Sequence, residues 1–160
     1  MLDNDVKNQL KEVFAHLQNE ISLVYKPSNH ADQVQLEAMF ADLHSTQDKI
    51  KVRPAVASEM NRFSNADFPQ FFIEKNAKPV GLCFKGIPGG HEFSTLVLAI
   101  LHADGKGKWP DEVIANRIKG LKGPIRIRTF ISLTCENCPD VVQMLNQMAL
   151  LHSEFEHEMV

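Results

Sequence analysis

Two cysteines separated by two residues form the part of this sequence with the clearest chemistry. Residues 135–139 read CENCP; the alternating apolar segment 125–131 before them predicts a β-strand, and the residues after Pro139 predict a helix. A thiolate is the nucleophile in disulfide exchange, and the free N–H groups and positive dipole end at a helix N-terminus favour its formation. The spacing lets a second thiol close an intramolecular bridge and release the product. The motif therefore predicts a thioredoxin-like redox site at Cys135 and Cys138.

The same cysteines could instead pack in the core or supply half of a zinc site. Zinc is normally held by four ligands, and the nearest candidates, His152 and His157, are separated from the thiols by a whole helix. The third cysteine, Cys83, lies in an apolar, strand-like run, which is typical of a small buried hydrophobe. The context therefore favours redox chemistry over metal binding.

Composition and charge limit the class of protein. The chain has 160 residues, of which 44% are hydrophobic and 23% charged, enough for one ordinary core or two small ones. No window approaches the roughly twenty apolar residues of a membrane span, and the N-terminal residues lack the pattern of a signal peptide. With only three cysteines, we expect a soluble cytoplasmic protein. A net charge of -3 and scattered basic residues indicate no nucleic-acid partner.

Hydrophobic periodicity divides the first two thirds of the chain into helices and strands. Helices are predicted over about 3–19, in a segment that ends near residue 45, and over about 93–101. Strands are predicted at 21–25, 50–53, 71–73 and 80–84, with 57–67 as a loop. The polar connector 74–78 has the length and composition of a hairpin, so the last two strands are expected to be antiparallel.

This order of elements is that of a complete thioredoxin-like fold with an added N-terminal helix. Residues 26–30 (KPSNH) occupy the place where its first strand meets its first helix, so the first unit, residues 1–107, is predicted to be redox-inert. Glycines and lysines at 105–108 then separate the two units.

The second unit, residues 108–160, repeats the beginning of the first. A helix opening at Trp109 to Asp111 with proline in its first turn, the strand 125–131, the dithiol helix and a strand over 154–160 follow each other. The predicted fold class is α/β: tandem thioredoxin-like folds on a central mixed sheet, the second copy truncated after its active-site helix and the following strand.

Longer stretches of sequence resemble a known family. Residues 1–3 (MLD) open a long helix, residues 90–99 read GHEFSTLVLA, and residues 132–143 read SLTCENCPDVVQ. Together they resemble the N-terminal domain of the flavoprotein component of bacterial alkyl hydroperoxide reductase, known as the F subunit, and the resemblance spans nearly the whole chain. It implies a tandem of two thioredoxin folds, of which only the second keeps a dithiol.

The resemblance also implies roles, cofactors and partners. Cys135 would be the attacking thiol, Cys138 the resolving thiol, and Glu92 an acid/base group for thiol exchange. Glu92 could equally be a helix N-terminal acid that complements the dipole. FAD and NADH are expected on a reductase portion elsewhere in the polypeptide, with none in this chain, and the electron acceptor is expected to be a peroxiredoxin.

The sequence departs from a self-sufficient enzyme in two ways. No G-x-G-x-x-G fingerprint occurs in it, so neither flavin nor nicotinamide is assigned to this chain. The closing hairpin and last helix of the second fold are also absent, which predicts either a fragment of a longer protein or a homodimer in which a second chain covers the apolar helix 141–151.

Two functions of different class remain open from the sequence. The first is a dithiol electron carrier that works through Cys135 and Cys138. The second is a non-catalytic docking module of a redox complex, in which the inert first fold recognises the reductase or the peroxiredoxin.

Overall fold

The computed structural model describes residues 2–160; Met1, the first residue of the MLD opening, lies outside the described residues. The helices are α1 (Asn4–Phe14), α2 (Gln33–Thr46), α3 (Phe93–Ala103), α4 (Glu112–Lys119) and α5 (Cys138–Leu151). The strands are β1 (Ile21–Tyr25), β2 (Ile50–Pro54), β3 (Gln70–Lys75), β4 (Lys78–Lys85), β5 (Ile125–Thr129) and β6 (Phe155–Met159). Two short 3-10 helices span Ala57–Arg62 and Gly90–Glu92.

The first unit has the predicted βαβ and ββ arrangement. Strand β1 pairs in parallel with β2 and antiparallel with β3, and β3 and β4 form the expected antiparallel hairpin. The hairpin turns at Asn76 and Ala77, which both have positive φ (49° and 62°), the backbone twist that a two-residue connection between antiparallel strands prefers.

The second unit adds its strands to the same sheet. Strand β6 pairs in parallel with β4 on one side and with β5 on the other. The result is one six-stranded mixed sheet in the order β2-β1-β3-β4-β6-β5. This confirms the predicted α/β class with thioredoxin-like units on a central mixed sheet. The boundary between residues 107 and 108 stays a prediction.

One large hydrophobic core runs through both units, and a smaller cluster of Val24, Phe63 and Phe72 lies apart from it. The centre of the large core contains aromatic side chains of the first unit, with Phe40 edge-on to Phe71 at 4.9 Å and Phe71 stacked on Phe84 at 4.7 Å between ring centroids. Val142 of α5 and Met159 of β6 belong to the same buried cluster. The helix that begins at the dithiol is thus packed against the core of both units.

Several element boundaries differ from prediction. Helix α1 ends at Phe14 because the following turn is held by Asp104, whose carboxylate accepts hydrogen bonds from the backbone N–H groups of Gln18 (3.0 Å) and Asn19 (2.7 Å). Helix α4 begins after Pro110, because the Asp111 carboxylate caps it by accepting from the N–H of Ile114 at 2.9 Å.

The predicted loop 57–67 contains the short helix Ala57–Arg62. Glu59 in this helix forms two hydrogen bonds with the Arg53 guanidinium, at 2.9 and 2.7 Å, which tie the segment to β2. Among residues 2–160, no helix is both long and apolar enough to cross a membrane.

Candidate functional site

The dithiol lies at the junction between strand β5 and helix α5. Strand β5 ends at Thr129, and α5 begins at Cys138 with Pro139 in its first turn, where a proline has no hydrogen bond to lose. Cys135 lies in the connecting loop, and its backbone N–H donates to the carbonyl of Ser132 at 2.9 Å. The predicted position of the motif at a helix N-terminus is therefore confirmed.

Cys135 and Cys138 are joined by a disulfide, with 5.5 Å between their Cα atoms. Both residues are partly buried, while Glu136 and Asn137 between them are exposed. One cysteine of the bridge lies in the loop and the other in the first turn of α5, and exchange between two such sulfurs opens or closes the bridge.

Glu92 is fully buried (0% exposed). It is the last residue of the 3-10 turn Gly90–Glu92, and the N–H of His91 in that turn donates to the carbonyl of Leu133 at 3.5 Å. This close approach depends on Gly90, which has a φ of +54°, because an added Cβ would lie only 2.9 Å from the same carbonyl oxygen. The turn and the loop before Cys135 are thereby in contact.

The carboxylate of Glu92 has an unusual environment. Neither of its oxygens has a hydrogen-bond partner among residues 2–160. Its side chain makes no capping hydrogen bond to α3, although Glu92 occupies the cap position of that helix. A buried carboxyl group without a protein partner costs stability. The acid/base role of Glu92 stays a prediction.

Two polar anchors of α5 were not anticipated from the sequence. The Oδ1 of Asn146 lies 2.7 Å from Nδ1 of His157, and Nε2 of His157 lies 2.9 Å from the hydroxyl of Thr129. Burial lowers the pKa of His157 to about 4, so the ring is neutral at pH 7. The amide nitrogen of the next residue, Gln147, lies 3.2 Å from Nε2 of His102 in the first unit. The available signal was a pair of polar residues within the otherwise apolar face of α5.

The histidines named as possible zinc ligands are engaged elsewhere. Nε2 of His152 lies 2.8 Å from the carbonyl oxygen of Leu121, and both ring nitrogens of His157 have the partners given above. In the described part of the chain, no group of three or more potential ligands has a metal-binding arrangement.

The corresponding junction of the first unit has no thiol. There, Lys26 donates through Nζ to the carbonyls of Ser64 and Ala66, both at 2.9 Å, and Ser28 donates to Asp67 at 2.6 Å. The remaining cysteine, Cys83, is partly buried, and desolvation raises the pKa of its thiol to about 12. Its thiolate is therefore scarce at neutral pH.

Apolar side chains are exposed around the dithiol. Phe130, at the end of β5, is 72% exposed, and Leu133, Val141 and Met144 are each about half exposed. By contrast, a large groove of about 930 Å³ lies at the opposite end of the sheet and contains neither the dithiol nor Glu92. Most apolar side chains of α5 pack on the core, and of the predicted apolar helix only Val141 and Met144 are exposed large hydrophobic residues in the described part of the chain. The prediction of a covering second chain stays untested.

The chain is similar to known proteins over its whole length, although no family model matches it. A Bacillus subtilis (strain 168) protein named NADH dehydrogenase is 35% identical over 160 residues, which are 100% of this chain and 30% of that protein. The F subunit of alkyl hydroperoxide reductase from Staphylococcus epidermidis is 32% identical over the same residues, again 30% of its length. The chain therefore spans about a third of the length of these relatives.

A solved structure extends the similarity to three dimensions. The N-terminal domain of alkyl hydroperoxide reductase AhpF from Enterococcus faecalis (V583) superposes with a TM-score of 0.89 at 27% identity. The match covers 100% of this chain and 80% of that chain.

Proposed function

We propose that this chain, which is similar over its whole length to the N-terminal part of the F subunit of alkyl hydroperoxide reductase, relays electrons from a flavin- and NADH-dependent reductase portion to a peroxiredoxin. The observation that supports this proposal is the Cys135–Cys138 disulfide at the start of α5, in a chain whose relatives carry that family name. Of the three cysteines in the sequence, only Cys135 and Cys138 have the two-residue spacing of a C-x-x-C motif.

The relay takes place by two thiol–disulfide exchanges. In the reduced form, the thiolate of Cys135 attacks a disulfide of the peroxiredoxin, which forms a mixed disulfide and releases one partner thiolate. The thiolate of Cys138 then attacks the sulfur of Cys135, which forms the bridge found in the structure and releases the second partner thiolate. Two electrons leave the chain in this step, and the reductase portion supplies two electrons to restore the dithiol.

Glu92 is the proposed acid/base group of these exchanges. The turn that carries it contacts the loop before Cys135, and its carboxylate has no hydrogen-bond partner among residues 2–160. A group in such a position can take the proton of an attacking thiol and return it to a leaving thiolate.

The cofactors are assigned to the rest of the polypeptide. The chain spans 30% of its relatives' length and lacks the glycine fingerprint of a dinucleotide-binding strand-turn-helix. The name NADH dehydrogenase of the Bacillus relative supports a nicotinamide-dependent reductase portion. We assign the relay to the cytoplasm, where a reduced dithiol is stable.

The alternative is a docking module without chemistry of its own. The exposed apolar side chains of Phe130, Val141 and Met144 favour the docking function, because exposed apolar patches are typical of protein-binding surfaces. A dithiol that does not react would leave docking as the function of this surface.

Reduction of a small aromatic disulfide by the pre-reduced protein separates the two functions. All variants carry Cys83→Ala, so that the third thiol does not contribute. We expect rapid stoichiometric reduction by the parent and a loss of about a hundredfold or more in Cys135→Ser, whereas Cys138→Ser should trap a mixed disulfide at Cys135. Equal rates in the parent and Cys135→Ser would leave only the docking function.

A further inference from the structure

Gln147 connects the dithiol helix to the first unit. Its side chain is buried (9% exposed), and its amide nitrogen donates to the backbone carbonyl of Lys108 at 2.8 Å and lies 3.2 Å from Nε2 of His102. An amide NH₂ group has two hydrogens, so it can make both bonds at once. His102 belongs to the last turn of α3, in the first unit, whereas Lys108 is the first residue of the second unit, in the connector before α4. The contact with His102 is therefore the one that joins the two units.

Neighbouring residues hold the His102 ring in place beside Gln147. The ring is 4% exposed and lies 5.1 Å from the ring of Trp109, between centroids. Gly107 of the connector has a φ of +84°, and a Cβ on it would lie 2.9 Å from the His102 ring. Burial also lowers the pKa of His102, which favours the neutral ring; in the tautomer protonated at Nδ1, Nε2 accepts from the Gln147 amide.

Gln147 is the one side chain of α5 that forms hydrogen bonds with α3 or the connector, among the residues that the structure describes. The other buried polar residue of α5, Asn146, is bonded to β6 of its own unit. Gln147 lies about 13 Å along the helix from Cys138.

We propose that His102 and Gln147 are positioning residues through which the redox-inert first unit fixes the helix that carries the dithiol. The proposal rests on the proposed function, because it assigns to the first unit a part in thiol exchange. When the two bonds are made, the N-terminus of α5 is held against the turn Gly90–Glu92; when they are lost, the helix shifts relative to Cys135 and its loop.

The test compares two methionine substitutions one turn apart on α5. Gln147→Met keeps the side-chain volume and removes both bonds, whereas Gln143→Met is the matched control, since Gln143 makes no side-chain hydrogen bond within residues 2–160. The measured quantity is the equilibrium constant for oxidation of the dithiol by glutathione disulfide, which yields the protein disulfide and two molecules of glutathione. We expect a change of about threefold or more for Gln147→Met and less than about 1.5-fold for the control.

A second variant reaches the same contact from the connector. Gly107→Ala should displace the His102 ring without a substitution in α5 itself, and we expect it to change the equilibrium constant in the same direction as Gln147→Met. If Gln147→Met fails to fold, Gly107→Ala still tests the proposal. Equal constants in the parent, Gln147→Met and Gly107→Ala would overturn it.

Amide hydrogen exchange separates this proposal from the proposed function. We expect faster exchange at the start of α5, at the amides of Val141 and Val142, in Gln147→Met than in Gln143→Met, because these are the first amides of the helix that can form intrahelical bonds. A parent protein that does not react with glutathione would contradict the relay but leave this readout intact. Unchanged exchange in that turn would contradict the positioning role even if the dithiol is active.

Discussion

At the scale of single residues, Glu92 combines a cost in stability with a proposed catalytic use. Both carboxylate oxygens are buried without a partner in the described part of the chain. We predict that Glu92→Gln raises the free energy of unfolding by about 1 kcal/mol, because an amide of the same shape removes the cost of burying an ionisable group without a partner. The same change should slow reduction of a small disulfide about tenfold or more, because an amide cannot accept the thiol proton.

Asp140→Asn is the control for removing an acidic group near the dithiol. Asp140 is an exposed acid in the first turn of α5, so its neutralisation changes the field at the dithiol without removing a buried group. We expect no loss of rate in this variant. Urea titrations and stopped-flow rates measured on the same samples check both parts, and a Glu92→Gln variant that is less stable but fully active would support the helix-cap role instead.

His157 should make the stability of the protein depend on pH. Burial lowers its pKa to about 4, against the opposing attraction of Glu158, whereas an unfolded histidine titrates near 6.5. Below about pH 6.5 the unfolded chain binds a proton that the folded chain does not, so the stabilisation is complete above this pH and is lost as the pH falls towards 4. We predict a loss of up to about 2 kcal/mol between pH 6.5 and 5.

Urea titrations at several pH values assign this slope to His157. The variant His157→Gln should be less stable at pH 7 and show a weaker dependence on pH in this window. His16→Gln, in which an exposed histidine is replaced, should keep the slope of the parent. His102 contributes in the same direction, because burial lowers its pKa as well. An undiminished slope in His157→Gln would assign the effect to other groups.

At the scale of elements, the turn Gly90–Glu92 must approach the loop before Cys135 closely. Gly90→Ala introduces both an unfavourable φ of +54° and a Cβ 2.9 Å from the Leu133 carbonyl, whereas Gly105→Ala introduces a φ of +83° with nothing within 4 Å. We predict a loss of about 1 kcal/mol for Gly105→Ala and about 2–3 kcal/mol for Gly90→Ala. Only Gly90→Ala should alter the rate of disulfide exchange, as measured by stopped-flow, and equal effects of the two variants would show that the contact is unimportant.

Local patterns in the sequence were sufficient to predict the elements that form the site. Alternation predicted β5, the CENCP stretch predicted the start of α5, and the polar connector predicted the β3–β4 hairpin. The early end of α1 was not predictable, because it depends on Asp104, which lies 85 residues away from Asn19 in sequence. The contact between Gly90 and Leu133 and the bonds of Gln147 were also missed, since each joins segments that are distant in sequence.

At the scale of the whole molecule, the two units share one sheet and one core. Strand β6 joins β4 to β5, and Val142 and Phe155 belong to the same buried cluster as the aromatic core of the first unit. Such a shared core favours a single cooperative unfolding transition rather than two. The division at residues 107 and 108 is therefore expected to mark a repeat of pattern, not two independently stable domains.

Gly81 lies at the point where the two units meet, and it provides a test of this coupling. It has a φ of +83°, and a Cβ on it would lie 2.6 Å from the carbonyl oxygen of Phe155, so alanine must push β6 away from β4.

In the parent, we predict that far-UV circular dichroism and the fluorescence of Trp109, the only tryptophan, report the same urea midpoint. Gly81→Ala should lower stability by about 2–4 kcal/mol and separate the two midpoints. Gly86→Ala, with a φ of +101° and open space around it, is the control that should keep them coincident. Separate midpoints already in the parent would mean that the dithiol unit folds independently, and the first unit could then position α5 only as a docked neighbour.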